Sequence, residues 1–501
     1  MKHLLLRPVL ALAVCASIAL AGCGSGDSVN LDVDDGHPPF VTDAQGRALI
    51  FHGVNVISAA KSDPEQIPRA LDAPLAKRIS NDWGMNLVRY LVFWNSLEPT
   101  KGDISQAYLD KVQEKIELLT DQQVYVVIDM HQDVYAARFC CDGAPPWAIR
   151  DDGEPFTEQP QWALNYFQPA VKRSFDNFWA YTEGNDADLQ DEYMKVWQAV
   201  AERFKDNPYV IGYDLMNEPH PGSLFDIQDL NSREPNPDGT SAEFERQYLQ
   251  PFYQRVINAI REVDPDGWIF YEPRYGGPAN GAPSYMTAMT DPREGRNRIV
   301  YYPHLYSATT EIGGAYDPAT DPTVESWAHY RAQEIADRRE PAAIGEWGVT
   351  GVNGSQLLLA KVLDMSDQLM IGWTYWSMDP GGYGFVDAPV PGGDSSTWVE
   401  NDKADLLVRP FPQAVAGQPI SFGYDTDTRV FTLKFDTKPG VKGPTEIFVP
   451  VARHYPEGIE LTSTDPDGTW SWKMDPKRPN ILLLTVDHRR LEHAFTISPK
   501  R

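Results

Sequence analysis

Val210-Ile-Gly-Tyr-Asp-Leu-Met-Asn-Glu-Pro-His-Pro-Gly222 begins as an apolar run and stops abruptly at Asn217, Glu218 and Pro219. A short run of this kind reads as a buried strand that delivers a carboxylic acid to its C-terminal rim. A strand end with a solvated glutamate would read the same way. A second stretch, Ala342-Ala-Ile-Gly-Glu-Trp-Gly348, repeats the arrangement with Glu346. Two carboxylic acids at the ends of two buried strands are the minimum equipment for retaining glycoside hydrolysis.

Working outward from these stretches, short apolar runs recur at 49–56, 86–94, 124–130, 210–216, 268–271, 299–305, 342–347 and 371–376. Amphipathic segments separate them. Tyr108, Val112, Ile116 and Leu119 share one helical face, as do Tyr193, Val196, Trp197, Val200 and Phe204. Eight near-continuous apolar strands alternating with helices predict an α/β fold, a (β/α)8 TIM barrel over 38–411. An open doubly wound sheet is the alternative, but no Gly-x-Gly-x-x-Gly turn follows the first run. Past about Pro412 the runs shorten, several alternate, and Gly, Pro and Asp turns separate them, which predicts an antiparallel β-sandwich domain over 412–501.

A barrel places its chemistry at the C-terminal ends of the strands. Polar residues gather there: Asn55, Asn95, His131 and Asp133, Asn217 and Glu218, His304 and Tyr306, Glu346, and Trp376. Arg89, inside the second run, is expected to support the carboxylates, because a lone buried charge is costly. His131 with Asp133 also reads as a structural pair or a fragment of a metal site, but no third ligand stands at metal-binding spacing. Trp376 reads equally as core or as the floor for a sugar ring.

The chain carries 501 residues and a formal charge of −27, which argues against nucleic acid or an anionic bilayer as an electrostatic partner. Residues 1–22 read as a signal peptide, with Lys2 and Arg7 before an apolar run too short for a spanning helix. Leu20-Ala-Gly-Cys23 resembles a bacterial lipobox, which implies cleavage before Cys23, lipidation of its thiol and a polar tether over 23–37. An ordinary secretory signal is the alternative. Cys140 and Cys141 are adjacent and imply no loop-closing framework, though a vicinal disulfide is open to them.

Asn217-Glu218-Pro219 and Gly345-Glu346-Trp347 resemble family 5 of the glycoside hydrolases. Val127-Ile-Asp-Met-His-Gln-Asp-Val-Tyr135, Tyr213-Asp-Leu-Met-Asn-Glu-Pro219, Pro303-His-Leu-Tyr306 and Tyr375-Trp-Ser-Met-Asp-Pro-Gly381 narrow the likeness to the endoglycoceramidases. Ser58-Ala-Ala-Lys-Ser62 and Arg173-Ser-Phe-Asp-Asn-Phe-Trp179 extend it. The resemblance implies Glu218 as acid/base, Glu346 as nucleophile and Asn217 as the group that grips the sugar 2-hydroxyl. His131, Tyr306 and Trp376 would hold the sugar at the cleaved bond, and Lys61 and Asp133 would read its hydroxyls. It implies no metal and no organic cofactor. The expected substrate is a glycosphingolipid, the expected partner a membrane surface reached through the Cys23 lipid, and the expected state a monomer in the cell envelope or outside the cell. An apolar slot for ceramide is expected from the aromatics of 134–190 and from Tyr383 and Phe385. The rivals are an enzyme for glucosyl- or galactosylceramide, a cellulase-like relative, and a non-catalytic sugar- or lipid-binding lipoprotein.

Overall fold

The computed structural model describes residues 39–182, 188–228, 233–295, 297–390 and 394–500. The signal peptide, Cys23 and the tether lie outside the described residues.

Eight parallel strands form the barrel: β2 His52–Val56, β3 Leu87–Phe93, β4 Tyr125–His131, β5 Val210–Asp214, β6 Trp268–Tyr271, β7 Ile299–Tyr301, β8 Ala343–Trp347 and β9 Gly372–Tyr375. β2 pairs with β3 and with β9, and the order runs on through β4, β5, β6 and β7 on one side and to β8 on the other. Closure between β7 and β8 comes from parallel bridges at Tyr301–Ala342 and Leu305–Trp347. There Leu305 N donates to Glu346 O at 2.8 Å and Gly345 N to Pro303 O at 3.1 Å. All seven residues of β3 are buried, as a strand covered on both faces requires. The helices close the outside with the faces their spacing predicts: Tyr108, Val112, Ile116 and Leu119 of Gln106–Thr120 are buried. So are Tyr193, Val196, Trp197, Val200 and Phe204 of Leu189–Phe204. Each such side chain contributes about 1.5–3 kcal/mol by leaving water. Ser105 and Asp188 cap the two helices, accepting from Tyr108 N and Gln190 N.

A short antiparallel pair, β10 Val386–Asp387 with β11 Val399–Glu400, follows the last barrel strand, and two antiparallel sheets make the C-terminal domain. One contains β13 Gln418–Asp425, β14 Val430–Asp436, β19 Glu492–Pro499 and β16 Ile459–Ser463. The other contains β1 Ala48–Leu49, β12 Phe411–Val415, β15 Thr445–Phe448, β18 Ile481–Val486 and β17 Trp470–Met474. The run 49–56, read as one barrel strand, is therefore split: β1 pairs with β12, and the chain enters the barrel only at His52. The apolar runs past Pro412 do not announce β12 or β16. Pro412 breaks the donor pattern of β12 and sits beside its register shift, and β16 offers only Ile459 and Leu461 as buried alternating positions.

Barrel and sheets lie in one compact unit, His37–Arg501. The His52 ring stacks between Trp373 at 4.4 Å and Phe411 at 3.6 Å. Arg409 reaches Asp367 at 2.9 Å and the carbonyl of Tyr424 at 2.8 Å. Gly84 takes φ +65° directly against Phe448, whose ring a Cβ would meet at 2.4 Å. Gly102 has a similar φ of +79° with open space around it. Gly84→Ala should therefore cost about 1–3 kcal/mol more than Gly102→Ala in urea unfolding, since only the first overpacks a junction. Equal losses would mean that φ alone matters at Gly84.

Candidate active site

Arg89 stands fully buried in the middle of β3, and the guanidinium has no water to turn to. Its Nε donates to Asp214 at 2.8 Å, and its terminal nitrogens reach Glu346 at 2.5 Å, Glu272 at 2.9 Å and Asn217 at 2.9 Å. Asn55 accepts from it at 3.1 Å, and Asp129 pairs with it at 2.9 Å. One cation thus ties β2, β3, β4 and β5 to the acids that follow β6 and end β8. Burial and the Glu272 charge raise Asp214 well above the ordinary carboxyl range, against the pull of Arg89.

Glu218 follows β5 with φ +42°, in the left-handed region that a non-glycine residue enters at a cost. Its amide donates to Glu272 at 2.8 Å. His304 bridges the acids: Nδ1 lies 3.0 Å from Glu218, Nε2 lies 3.1 Å from Glu272, and Nδ1 is 3.7 Å from Glu346. Burial opposes charge on this imidazole, but the Glu272 and Glu346 carboxylates raise it well above its ordinary value. Tyr306 OH donates to Glu346 at 3.0 Å. Burial pushes Glu218 up; the His304 hydrogen bond pulls it down but is outweighed, with the Glu346 charge adding to the rise. Oxygens of Glu218 and Glu346 come within 4.8 Å of each other. A pair this close belongs to the retaining geometry, because an inverting pair must leave room for a water between its carboxyls.

A second cluster flanks the first. His131 Nδ1 is 2.7 Å from Asp129, and its Nε2 is 3.5 Å from Asp133. Lys61 Nζ donates to Asp133 at 2.5 Å and sits 4.3 Å from the Trp376 ring centroid. The His131 ring lies parallel to Trp376 at 5.6 Å. Burial and Lys61 pull His131 down, yet Asp129 and Asp133 outweigh them and lift it to about 9. Asp133 is pushed up by burial but held well below the carboxyl range by Lys61 and His131. Burial and the Asp133 charge lift Asp142 to about 7. Among the described residues, three acidic groups have ligand atoms close enough to hold a metal ion: His131 with Asp133 and Asp142, Glu218 with His304 and Glu346, and Asp129 with Asp214 and Glu272. Each already faces a cation of the chain, through Lys61, Arg89 or His304.

The fold therefore gathers Glu218, Glu346, Asn217, Arg89, His131, Asp133, Lys61, Tyr306 and Trp376 at one mouth. His304, a rim residue to which the sequence gives no role, is central to it. Glu272, Asp129 and Asp214 were missed, although each left a trace. Glu272-Pro273 closes an apolar run as Glu218-Pro219 does, and an Asp inside a parallel strand must find a buried cation. The expected slot needs correction. Phe175, Phe178 and Trp179 are core, and Phe385 is buried against Trp83 and Tyr375. Tyr383 does reach the site: its ring meets that of Tyr306, and its hydroxyl donates to Glu311 at 2.8 Å. Cys140 and Cys141 form a disulfide between neighbours.

Residues 69–382 match the profile of cellulase (glycosyl hydrolase family 5), and residues 409–498 match the glycoside hydrolase family 5 C-terminal domain. The chain belongs to glycosyl hydrolase family 5. It is 30% identical to endoglycoceramidase I of Rhodococcus hoagii (strain 103S), over 84% of this chain and 80% of that one. It is similar, with TM-score 0.81 and 33% identity, to endo-glycoceramidase II from Rhodococcus sp. in a ganglioside GM3 complex, over 93% of this chain and all of that one. The same enzyme as a lactosyl-enzyme intermediate matches with TM-score 0.80, 33% identity and the same coverage.

Arg89→Met should cost about 3–5 kcal/mol in urea unfolding, because it strands buried carboxylates. Asp214→Asn should cost less than half of that, since burial and the Glu272 charge already oppose the ionised form of Asp214. Equal losses would show that Asp214 enters the folded state ionised.

Proposed function

We propose that the chain is a retaining endoglycoceramidase that cleaves the β-glycosidic bond between an oligosaccharide and ceramide. The observation that carries the reading is the close pair Glu218 and Glu346 in two unlike settings. Glu218, raised by burial, holds a proton for the leaving oxygen. Glu346, held by Arg89 and Tyr306, attacks the anomeric carbon as a carboxylate. Ceramide departs as the alcohol, and a glycosyl ester forms on Glu346. Glu218, now ionised, takes a proton from water; the water oxygen opens the ester, and the glycan leaves with its original configuration.

Asn217 has its Oδ1 on Arg89 and one amide hydrogen on the Gln132 carbonyl at 3.0 Å, leaving the other hydrogen for a sugar hydroxyl. Lys61, Asp133, His131 and Trp376 form the polar sugar side. On the Glu218 side stand half-buried rings, Phe225 and Tyr275, packed on buried His220 at 5.0 and 5.5 Å. Together with Tyr383 they suit the hydrocarbon of a ceramide. Residues 1–22 act as signal peptide, and Cys23 carries a lipid that retains a monomeric enzyme at the cell envelope.

Incubation with a panel of glycosphingolipids, followed by mass analysis, should yield intact glycans and free ceramide. Stepwise loss of single sugars, or action on monohexosylceramides alone, would overturn the endo reading. Glu218→Ala should lower glycolipid turnover by about 10²–10⁴-fold. On an aryl lactoside with a good leaving group it should instead accumulate glycosyl-enzyme and be rescued by azide to the β-lactosyl azide, whereas Glu346→Ala should accumulate no glycosyl-enzyme and give only the α-azide. Because Glu218 acts protonated and its pKa is raised, wild-type kcat/KM on a poorly activated glycoside should hold below that pKa and fall as pH rises through it. With the activated aryl lactoside the alkaline fall should vanish in Glu218→Ala. A fall that survives belongs to another group.

A further inference from the structure

Large exposed apolar side chains are unevenly spread around the rim of the barrel mouth. Among the described residues, the loops after β2 and β3 expose no large apolar side chain and present Glu65, Arg69, Lys101 and Asp103 instead. The loops after β4, β5 and β7 expose Trp162 at 45%, Leu164 at 47%, Ile227 at 48% and Ile312 at 81%, beside the acids Glu154, Glu158 and Glu311, and the loop after β9 exposes Val390 at 59%. Two of these loops touch where Phe167 after β4 packs on Phe225 after β5 at 5.4 Å, and within the first loop Trp162 rests on buried Tyr166 at 6.3 Å. Glu311, next to Ile312, accepts from Tyr383 of the loop after β9. The apolar arc therefore has backing side chains beneath it and lies on the Glu218 side of the mouth. The polar arc lies on the Lys61 side.

We infer that Trp162, Leu164, Ile227 and Ile312 form a docking rim that inserts into the surface of an electrically neutral lipid bilayer. The inference rests on the proposed glycolipid substrate, whose leaving group is embedded in such a surface. An apolar arc on the leaving-group side would sit in the headgroup layer and draw ceramide a short way into the site, with the glycan directed to the polar arc. Tryptophan and isoleucine on loop tips gain from burial at that depth. Charge points the same way: with a formal charge of −27 the chain is repelled by anionic lipid, so attachment must come from apolar contact.

The test uses the full chain with Cys23→Ser, which removes any acyl anchor, with and without W162S/L164S/I312S. Sedimentation with sucrose-loaded phosphatidylcholine vesicles should fall about tenfold or more in the variant, given the apolar area removed. Hydrolysis of a glycosphingolipid in those vesicles should fall in parallel. The same lipid in detergent micelles and a soluble aryl lactoside should be turned over within about twofold of the parent. Raising NaCl to about 0.5 M should not release the parent, and adding phosphatidylserine should weaken its binding. A parent that stays in the supernatant, or a variant that sediments equally well, overturns the rim. If the parent cleaves no glycosphingolipid even in micelles, the proposed function falls, while sedimentation still decides the rim. Should the triple variant lose aryl-lactoside activity, Ile312→Lys alone decides, with a loss of about threefold or more expected in sedimentation.

Discussion

The site depends on one buried guanidinium. Arg89 has no exposure, and its charge is met by Asp129, Asp214, Glu272 and Glu346 within 2.9 Å. None of these acids would be tolerable in a barrel core alone, and neither would the arginine. Their mutual dependence turns strand register into chemistry. Asn55 pairs with Arg89 across β2 and β3, and Asp129 with Asp214 across β4 and β5. Inward-pointing residues of neighbouring strands therefore meet as a layer. A slip of one residue in any of these strands would turn its polar group outward and leave the others uncompensated.

From that layer the two glutamates acquire different characters. Glu346 ends its strand directly on Arg89 and Tyr306, which donate to its two carboxyl oxygens. Glu218 stands one step away, touching His304 but not Arg89, and burial raises its pKa. The difference in role follows from a difference in partners, which is how one pocket holds an acid beside a base. Its left-handed backbone aims the acid, and the Glu272 hydrogen bond to its amide holds that conformation.

The C-terminal domain is joined to the floor of this arrangement. β1 belongs to its sheet and feeds β2 of the barrel, while His52 stacks between rings from both parts. Burial and the Arg409 charge keep His52 well below its ordinary value, hence neutral, so it packs as an aromatic disc. The domain secures the first barrel strand, on which Asn55 reaches Arg89.

Periodicity was enough to announce eight strands, the helices between them and a β-rich end, because alternating burial writes itself into apolar spacing. The terminal positions of Glu218, Glu346, His131 and Tyr306 were legible too, since a parallel strand must end where polar residues begin. The resemblance carried by Asp129 to Asp133 and by Asn217 to Pro219 supplied the family that comparison then showed. Strand pairing was not legible: the split of 49–56 between two sheets depends on β12, which lies some 360 residues away. Nor was the centrality of His304 and Glu272, whose worth lies in distances to side chains from other strands. Exposure was equally hidden, since Phe385 and Ile312 look alike in a sequence and end with 0% and 81% of their surface in water. Spacing along a chain reports which face a residue takes. Only the closed barrel decides which charges share that face, and a buried charge is defined by its neighbours.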